Sequence, residues 1–426
     1  MAHAKHPRPR RLARRAAVAL VLALVLLSAA VALAYRPLVR ALGGSWEHAP
    51  SEMAAGLGDE ARALLARAYE GIDPARLVDV HAHLAGIGTD GSGCEVNARM
   101  RSWRHPLSRL RFDFYLSGAG VTDLAHADRQ VVERLADLAR HADLPARRYL
   151  LAFDRHYRAD GTVDAAKSGF HVPNEWVWRV AREHPGLFAP AISVHPYRSD
   201  ALAELERWGA RGVKIVKWLP NAMGIDPADP RCDAFYATMR VHEMVLLSHT
   251  GKELAVASVA DQGLGNPLRL RRPLDAGLRV IAAHCAGLGT DEDLDRPGRP
   301  RVASFELFLR LMDEERYEGL FFGDLSAVLL FNRSGEHLRT LLEREDLHAR
   351  LVDGSDYPLP AIDALVHTGS FAREGYITPA ESRALEEIYD YNPLVYDFAL
   401  KRTLRLPASG RGFAAAAFER PPGLGL

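Results

Sequence analysis

Histidines and an aspartate stand at the ends of four short apolar runs of this sequence. The first run ends with His81 and His83, and later runs end at His249, His284 and Asp356. Neutral imidazoles and carboxylates are ligands that zinc and similar divalent metals accept in proteins. The residue types therefore predict a site for one or two divalent metal ions, with zinc as the first candidate.

The spacing of these residues follows the rhythm of one strand and one helix along the chain. His284 follows His249 after one such unit, Asp356 comes two units later, and Lys217 stands one unit before His249. In a barrel of parallel strands the C-terminal strand ends meet at one mouth, where catalytic groups gather. The spacing therefore predicts that all of these side chains point into one mouth.

The alternation of side chains along a strand predicts which residues face that mouth. His81 and His83 share a face with Asp79, because alternate residues of a strand point the same way. Lys214 and Lys217 lie on opposite faces by the same rule. We expect Lys217, which is nearer the end of its strand, to face the mouth.

The elements that must position these residues are eight strands separated by amphipathic helices. Short apolar runs that alternate with helical stretches are typical of parallel strands in βα units. Eight units predict an α/β fold, the (β/α)8 or TIM barrel, with an open doubly wound sheet as the alternative. The predicted strands are 77–84, 149–154, 188–194, 212–218, 244–249, 278–284, 320–325 and 351–356.

Five of these strand ends carry motifs that resemble a known family. The motifs are VDVHAH, VKIVKW, LLSHTG, IAAHCAG and DGSDYP. They resemble the amidohydrolase superfamily of metal-dependent hydrolases over roughly residues 77–400. The most similar part of that superfamily is the amidohydrolase-related branch, which also contains decarboxylases.

The resemblance implies two alternative uses of these residues. In two-metal members, the first-strand histidine pair and Asp356 bind one ion, and His249 and His284 bind the second. Lys217, carboxylated by carbon dioxide, bridges the two ions. In one-metal, decarboxylase-like members, the first-strand histidine pair, His249 and Asp356 bind the ion. Lys217 is then structural, and His284 handles the substrate or protons.

The predicted activity is hydrolysis of a small amide, ester or lactone by a metal-activated water. Asp356 would transfer protons between the water and the leaving group, and His284 would be the second catalytic residue. The alternative is a metal-dependent decarboxylase acting on a small carboxylic acid on the same barrel. A catalytically inactive binding barrel is a third hypothesis, but it gives no reason for so many ligands at strand ends.

Other residues near the mouth are predicted to contact the substrate or support the ligands. His195 follows the third strand, Lys252 follows the fifth, and Arg99 lies in the long loop after the first. These three are the predicted substrate-binding residues, although a capping role suits His195 equally well. Asp324 ends the seventh strand and is expected to line the mouth or to hold a ligand histidine.

The N-terminus has a charge pattern of its own. Residues 1–40 contain basic side chains and no acidic ones, and an uncharged apolar run covers 16–34. A helix of this length crosses a bilayer, and the basic residues before it place the N-terminus in the cytoplasm. The run is predicted to be a transmembrane anchor or, because Ala32-Leu33-Ala34 matches a cleavage site, a secretory signal. Either alternative places the catalytic domain outside the cytoplasm.

Composition sets the remaining expectations. The chain has 426 residues, 48% hydrophobic and 25% charged, which is typical of a folded protein. Its 54 basic and 54 acidic residues cancel, and the basic N-terminus leaves the rest acidic. Nucleic acid is therefore excluded as a partner, three cysteines predict no disulfide framework, and oligomeric state stays open. The predicted segments are a basic arm and span (1–40), a linker with a helix (41–76), the barrel (77–406) and a flexible tail (407–426).

The topology has a direct test. A C-terminal fusion to alkaline phosphatase, which folds only in an oxidising compartment, is expected to be active. A fusion to a reporter that works only in the cytoplasm is expected to be silent, and deletion of residues 1–40 should reverse both results. An active cytoplasmic reporter on the full chain would contradict the predicted orientation.

Overall fold

Eight parallel strands lie side by side in chain order and form a nearly closed barrel. The computed structural model describes residues 9–44, 48–142, 146–256 and 261–426. Backbone hydrogen bonds from the segment after the last strand to the first strand complete the ring. The strands are β1 (Val78–His83), β2 (Arg147–Leu151), β3 (Phe188–Ile192), β4 (Ile215–Trp218), β5 (Val245–His249), β6 (Arg279–Ala283), β7 (Phe321–Asp324) and β8 (Leu351–Val352).

All eight predicted strands are present. The predicted (β/α)8 barrel is confirmed, and the alternative of an open doubly wound sheet is wrong. Two strands end earlier than predicted, because the backbone leaves the extended conformation before the predicted last residue. β6 stops before His284 and β8 stops at Val352, short of Asp356. His284 and Asp356 have φ values of 59° and 56°, a left-handed conformation that no strand accommodates.

Helices surround the barrel because each connection between parallel strands must cross back over the sheet. Several show an apolar face toward the strands and a charged face toward solvent. The α-helices are α1 (Pro9–Leu42), α2 (Met53–Gly56), α3 (Asp59–Tyr69), α4 (Pro106–Gly118), α5 (Ala127–Arg140), α6 (Asn174–Glu183), α7 (Ala201–Gly209), α8 (Pro220–Met223), α9 (Asp233–Val241), α10 (Arg271–Asp275), α11 (Ser304–Met312), α12 (Glu336–Glu343), α13 (Thr368–Arg373), α14 (Pro379–Tyr391) and α15 (Pro393–Thr403).

The barrel interior is a closed apolar core to which every strand contributes. Inward-facing Val78, Ile215, Val245 and Phe322 belong to this cluster. Leu424, near the end of the chain, joins it and is fully buried. The core therefore supports the strands from within and leaves the mouth free for polar groups.

The segment 407–426, predicted as a flexible tail, is packed against the barrel. Phe418 is fully buried and contacts the ring of Phe398 on α15. Arg279 of β6 donates to the carbonyl of Gly423 at 3.0 Å. Glycine and proline in this segment form turns, and its few large apolar side chains are buried, which orders it.

The segment 41–76, predicted as a linker with a helix, is also joined to the barrel. Its helix α3 packs against α14 and α15. Arg402 of α15 donates from Nε to the carbonyl of Ala68 in α3 at 2.8 Å. The helix is amphipathic, and the buried side of α3 includes Leu64 and Leu65.

The N-terminal helix α1 contains one long apolar stretch. The 27 residues Ala16–Leu42 are long and apolar enough to cross a membrane, and the signal sequence of an exported protein passes the same test. Its apolar side chains are largely exposed. Near its end, Tyr35 donates from Oη to Asp113 of α4 at 2.6 Å and packs against the ring of Trp103. The helix is thus attached to the barrel through α4 and its neighbouring loop.

Lys401 of α15 carries a positive charge into the core beside the segment that follows β8. Its Nζ donates to Asp353 at 3.0 Å, to Asp397 at 2.6 Å and to the carbonyl of Gly354 at 2.9 Å. Burial disfavours its charge, but the two carboxylates outweigh burial and raise the pKa of Lys401. The network therefore anchors the backbone immediately after β8.

Replacing this lysine should cost much of the stability of the barrel. Lys401→Met leaves Asp353 and Asp397 buried without their partner, and the free energy of unfolding should fall by about 3–5 kcal/mol. Chemical denaturation of the full chain in detergent measures the change. Lys214→Met, which removes a partly exposed pair with Glu243, should cost less than about 1 kcal/mol. Equal stability of the two variants would contradict the role of the network.

Candidate metal centre

A β-bulge in β1 turns two histidines toward the mouth of the barrel. Val78 and Val80 fill the interior, so regular alternation would place His81 outside. The pairing with β2 shifts by one residue just before Ala82, as in a β-bulge. Beyond the bulge, Ala82 packs outside the barrel, and His81 and His83 face the mouth.

Asp324, at the end of β7, holds His81 in one orientation. Its Oδ2 lies 2.8 Å from His81 Nδ1, and both side chains are buried. Burial alone would raise the pKa of Asp324, but His81 outweighs burial and holds it far below its usual range. Because Nδ1 is occupied, Nε2 is the nitrogen that His81 offers to a metal. A carboxylate on the second nitrogen is a common feature of metal-binding histidines.

Asp356 lies in the segment that closes the barrel, beside both histidines. Its N–H donates to the carbonyl of His81 at 2.7 Å. Its Oδ1 lies 3.0 Å from His83 Nε2 and 3.5 Å from His81 Nε2. Burial would raise the pKa of Asp356, but the neighbouring imidazoles outweigh it and keep the pKa well below its usual value. The carboxylate is therefore ionised.

His81, His83 and Asp356 form a compact group that could hold a metal ion. One ligand atom of each lies within 4.8 Å of the others. Burial lowers the pKa of His83, so its imidazole is neutral and has a lone pair to offer. Two imidazoles and one carboxylate are the donor set of many catalytic zinc sites. These residues therefore fit a divalent ion.

His284 enters the mouth from a turn rather than from a strand. Its Nδ1 lies 2.7 Å from the hydroxyl of Ser326 and 3.9 Å from Asp356 Oδ2. His284, His81 and Asp324 form a second group with metal-ligand spacing, in which the hydroxyl of Ser326 already links the three side chains. Burial lowers the pKa of His284 well below its ordinary value, so the ring is neutral.

His249, at the end of β5, has a ring nitrogen that lacks a hydrogen bond. Its Nε2 lies 3.4 Å from Glu253 Oε2 but is not aligned with it, and no other described residue satisfies this nitrogen. The ring is buried and packs edge to face on His284, with centroids 5.0 Å apart. Burial lowers the pKa of His249 well below its ordinary value. A neutral, buried and unpartnered nitrogen is a free ligand for a metal.

Lys217 extends from β4 into the middle of the imidazole cluster. Its Nζ lies 3.1 Å from His81 Nε2, and the side chain is 1% exposed. Burial lowers the pKa of Lys217 to about 8, although Asp324 and Asp356 act against burial. Lys214 points the other way and is partly exposed, as alternation along the strand predicts.

The three residues predicted to contact the substrate have different surroundings. His195 is fully buried, its Nε2 lies 2.9 Å from the carbonyl of Met223, and its Nδ1 accepts the N–H of Tyr197 at 3.2 Å. Both of its ring nitrogens are therefore occupied by the backbone. Lys252 and Arg99 are exposed on the loops after β5 and β1, where contact with a substrate stays a prediction.

Three buried polar residues near the cluster were not predicted from the sequence. Glu253 lies four residues after His249, and Ser326 lies two residues after Asp324. Both follow directly on barrel strands, and that position was a signal that could have identified them. Arg333 lies further along the loop after β7, where the sequence gives no comparable signal.

Comparison with known proteins finds similarity only at the level of solved structures. No protein-family model matches the chain, and no curated protein matches it. An uncharacterized TIM-barrel protein from Bordetella bronchiseptica is 18% identical with a TM-score of 0.45, and the match covers 73% of this chain and 94% of that one.

Two enzymes of different activity show comparable similarity. 5-Carboxyvanillate decarboxylase from Sphingomonas paucimobilis is 14% identical with a TM-score of 0.41, covering 81% of this chain and 96% of that one. 4-Oxalomesaconate hydratase from Rhodopseudomonas palustris is 14% identical with a TM-score of 0.38, covering 75% and 91%. Similarity at this level does not define an activity, which has to be inferred from the site.

The support of His81 by Asp324 can be measured as metal affinity. Asp324→Asn keeps the size of the side chain but removes the charge that orients the imidazole. We expect zinc affinity to fall about 10–100-fold, measured by competition with a chromogenic chelator. Asp313→Asn, an exposed carboxylate, is the control. The same affinity in both variants would contradict the role of Asp324.

Proposed function

We propose that this protein is a metal-dependent hydrolase that cleaves a small amide, ester or lactone at the mouth of the barrel. The observation that carries the proposal is the position of Lys217, whose amine is buried against the nitrogen that His81 offers to a metal. An ammonium group there would repel a divalent cation strongly. A carboxylated lysine would instead be an anionic ligand, which gives Lys217 a role in the site.

Carboxylation of Lys217 requires only its neutral amine and carbon dioxide. The nitrogen bonds to the carbon of carbon dioxide and loses a proton, so the side chain changes from a cation to an anion. The carbamate would stand between the first ligand group and the free Nε2 of His249. The proposed ligands are His81, His83 and Asp356 for one ion, His249 and His284 for the other, and Lys217 as the bridge.

The surrounding residues have distinct tasks in this proposal. A bound divalent cation would supply an activated water and polarise the scissile bond. Asp324 fixes the ring of His81. Asp356 is ionised and can accept a proton at Oδ2 and return it to the leaving group. His284 is held at Nδ1 by Ser326, which leaves its other nitrogen for the second ion.

A metal-dependent decarboxylase on the same barrel is the second candidate. One observation favours it: His81, His83 and Asp356 form a compact ligand group by themselves, whereas the nearest acid to His249 is Glu253. A single ion would then be bound by the compact group. Lys217 would remain an unmodified structural residue.

We also infer that the barrel works outside the cytoplasm, attached to the membrane or exported. The exposed apolar surface of α1 supports this location. The basic residues before the apolar run support the orientation. The substrate would then be a small molecule of the extracytoplasmic space.

Metal content and mass separate the two activities. A two-metal hydrolase should contain about two ions per chain, and its native mass should exceed the sequence mass by one carbon dioxide in addition to these ions. Lys217→Met should lose one ion and the hydrolytic activity, whereas Lys214→Met should keep both. Elemental analysis and native mass spectrometry give these values. One ion per chain with unmodified Lys217 would overturn the hydrolase proposal and favour the decarboxylase.

A further inference from the structure

Arg333 is a buried arginine on the loop that follows β7. The residue is 8% exposed, and its backbone is fixed by two hydrogen bonds, from its N–H to Leu330 at 2.7 Å and from His337 Nδ1 to its carbonyl at 3.1 Å. Its Nε and Nη1 have no hydrogen-bond partner among the residues that the structure describes. The loop thus holds a buried charged group with two unused donors.

The guanidinium of Arg333 lies within the electrostatic reach of the metal-ligand cluster. Loops after barrel strands surround the mouth, and β7 ends at Asp324. Burial lowers the pKa of Arg333, and the charges that oppose burial are those of Asp356, Glu253 and Asp324. Arg333 in turn contributes to the lowered pKa of His249. None of these acids accepts a hydrogen bond from Nε or Nη1.

A buried arginine with unpaired donors lowers the stability of a fold unless a ligand accepts its hydrogen bonds. The guanidinium cannot lose its proton to escape burial, and an unpaired buried charge destabilises a fold. Its planar fork matches the two oxygens of a carboxylate or of a phosphate. Nε and Nη1 are buried and unpaired, so an anion that reaches them would satisfy both donors.

We infer that Arg333 binds a carboxylate of the substrate, so the amide, ester or lactone cleaved here carries a free carboxylate group. This inference rests on the proposed hydrolase function and names its substrate class. A carboxylate is favoured over a phosphate because Glu253, Asp356 and Asp324 already place negative charge around Arg333. A dianion is repelled more strongly by these acids than a monoanion is.

The first experiment uses substrates that differ only in this charge. A panel of N-acyl amino acids and their neutral primary amides is assayed with the metal-loaded full chain. The wild type should prefer the acids by about 100-fold in kcat/KM, and Arg333→Gln should lose this preference by losing activity on the acids alone. Arg333→Lys should recover part of it. Arg339→Gln, an exposed arginine on α12, should match the wild type, and an equal loss on acids and amides in Arg333→Gln would overturn the inference.

The second experiment measures binding without turnover. Benzoate and benzamide are titrated into the full chain by calorimetry, first with the metal and again after chelation. The second titration identifies carboxylate binding that depends only on the metal. Benzoate should bind in both states and benzamide should not, and Arg333→Gln should lose the binding that survives chelation. If that variant does not fold, the chelated wild type provides the test: binding of benzoate but not of benzamide supports the anion site, and equal binding of the two contradicts it.

The outcomes separate the inference from the proposed function. Benzoate binding that depends on Arg333, with no cleavage of the panel or of ester and lactone analogues of its members, would remove the hydrolase and leave the anion site. Cleavage of acids and amides at equal rates, with no benzoate binding after chelation, would overturn the role of Arg333 and leave the hydrolase. Tighter binding of inorganic phosphate than of benzoate would overturn the choice of a carboxylate.

Discussion

The hydrogen bonds between β1 and the segment after β8 set the geometry of the rest of this protein. The N–H of His83 donates to Tyr357, and the N–H of Asp356 donates to His81. A barrel requires its last strand to meet its first, but β8 is only two residues long. Closure therefore depends on irregular backbone beyond β8, and the same bonds bring Asp356 to the two histidines. Closing the fold and assembling the ligand group are one event.

The buried cations of this protein fall into two kinds. Lys401 is neutralised by two carboxylates of its own chain and serves the structure. Lys217 reaches the mouth, where its Nζ lies against the imidazole of His81. Arg333 lies on the loop after β7, and two of its donors are unpaired among the described residues. A positive charge that the fold does not neutralise is suited to modification or to an anionic ligand. Burial lowers the pKa values of His249 and His284, which keeps nitrogens of these rings free for a metal.

The strands and part of the site, including Lys217 and His249, can be predicted from the sequence, because buried parallel strands are continuous apolar runs that end at the mouth. Lys217 and His249 share the inward face with Ile215 and Val245, which simple alternation gives correctly. The predicted shared face of His81 and Asp79 is wrong, because the bulge separates them.

Other parts of the site depend on backbone that no apolar pattern shows. His284 and Asp356 point into the mouth from left-handed turns, and nothing in a count of alternating residues reveals such turns. Glu253 and Arg333 lie on loops, and their contacts come from parts of the chain far away in sequence. The packing of the C-terminal segment was not predicted either. Its glycine and proline content indicates turns, but it does not show which distant residues its apolar side chains contact.

That C-terminal segment also constrains the order in which the barrel is assembled. Leu424 completes the interior that begins with Val78, and Glu419 forms a bridge with Leu77. Contacts across so much of the chain form late, because the intervening loop must close first. The first strand therefore stays incompletely packed until the segment that carries Glu419 and Leu424 docks against it.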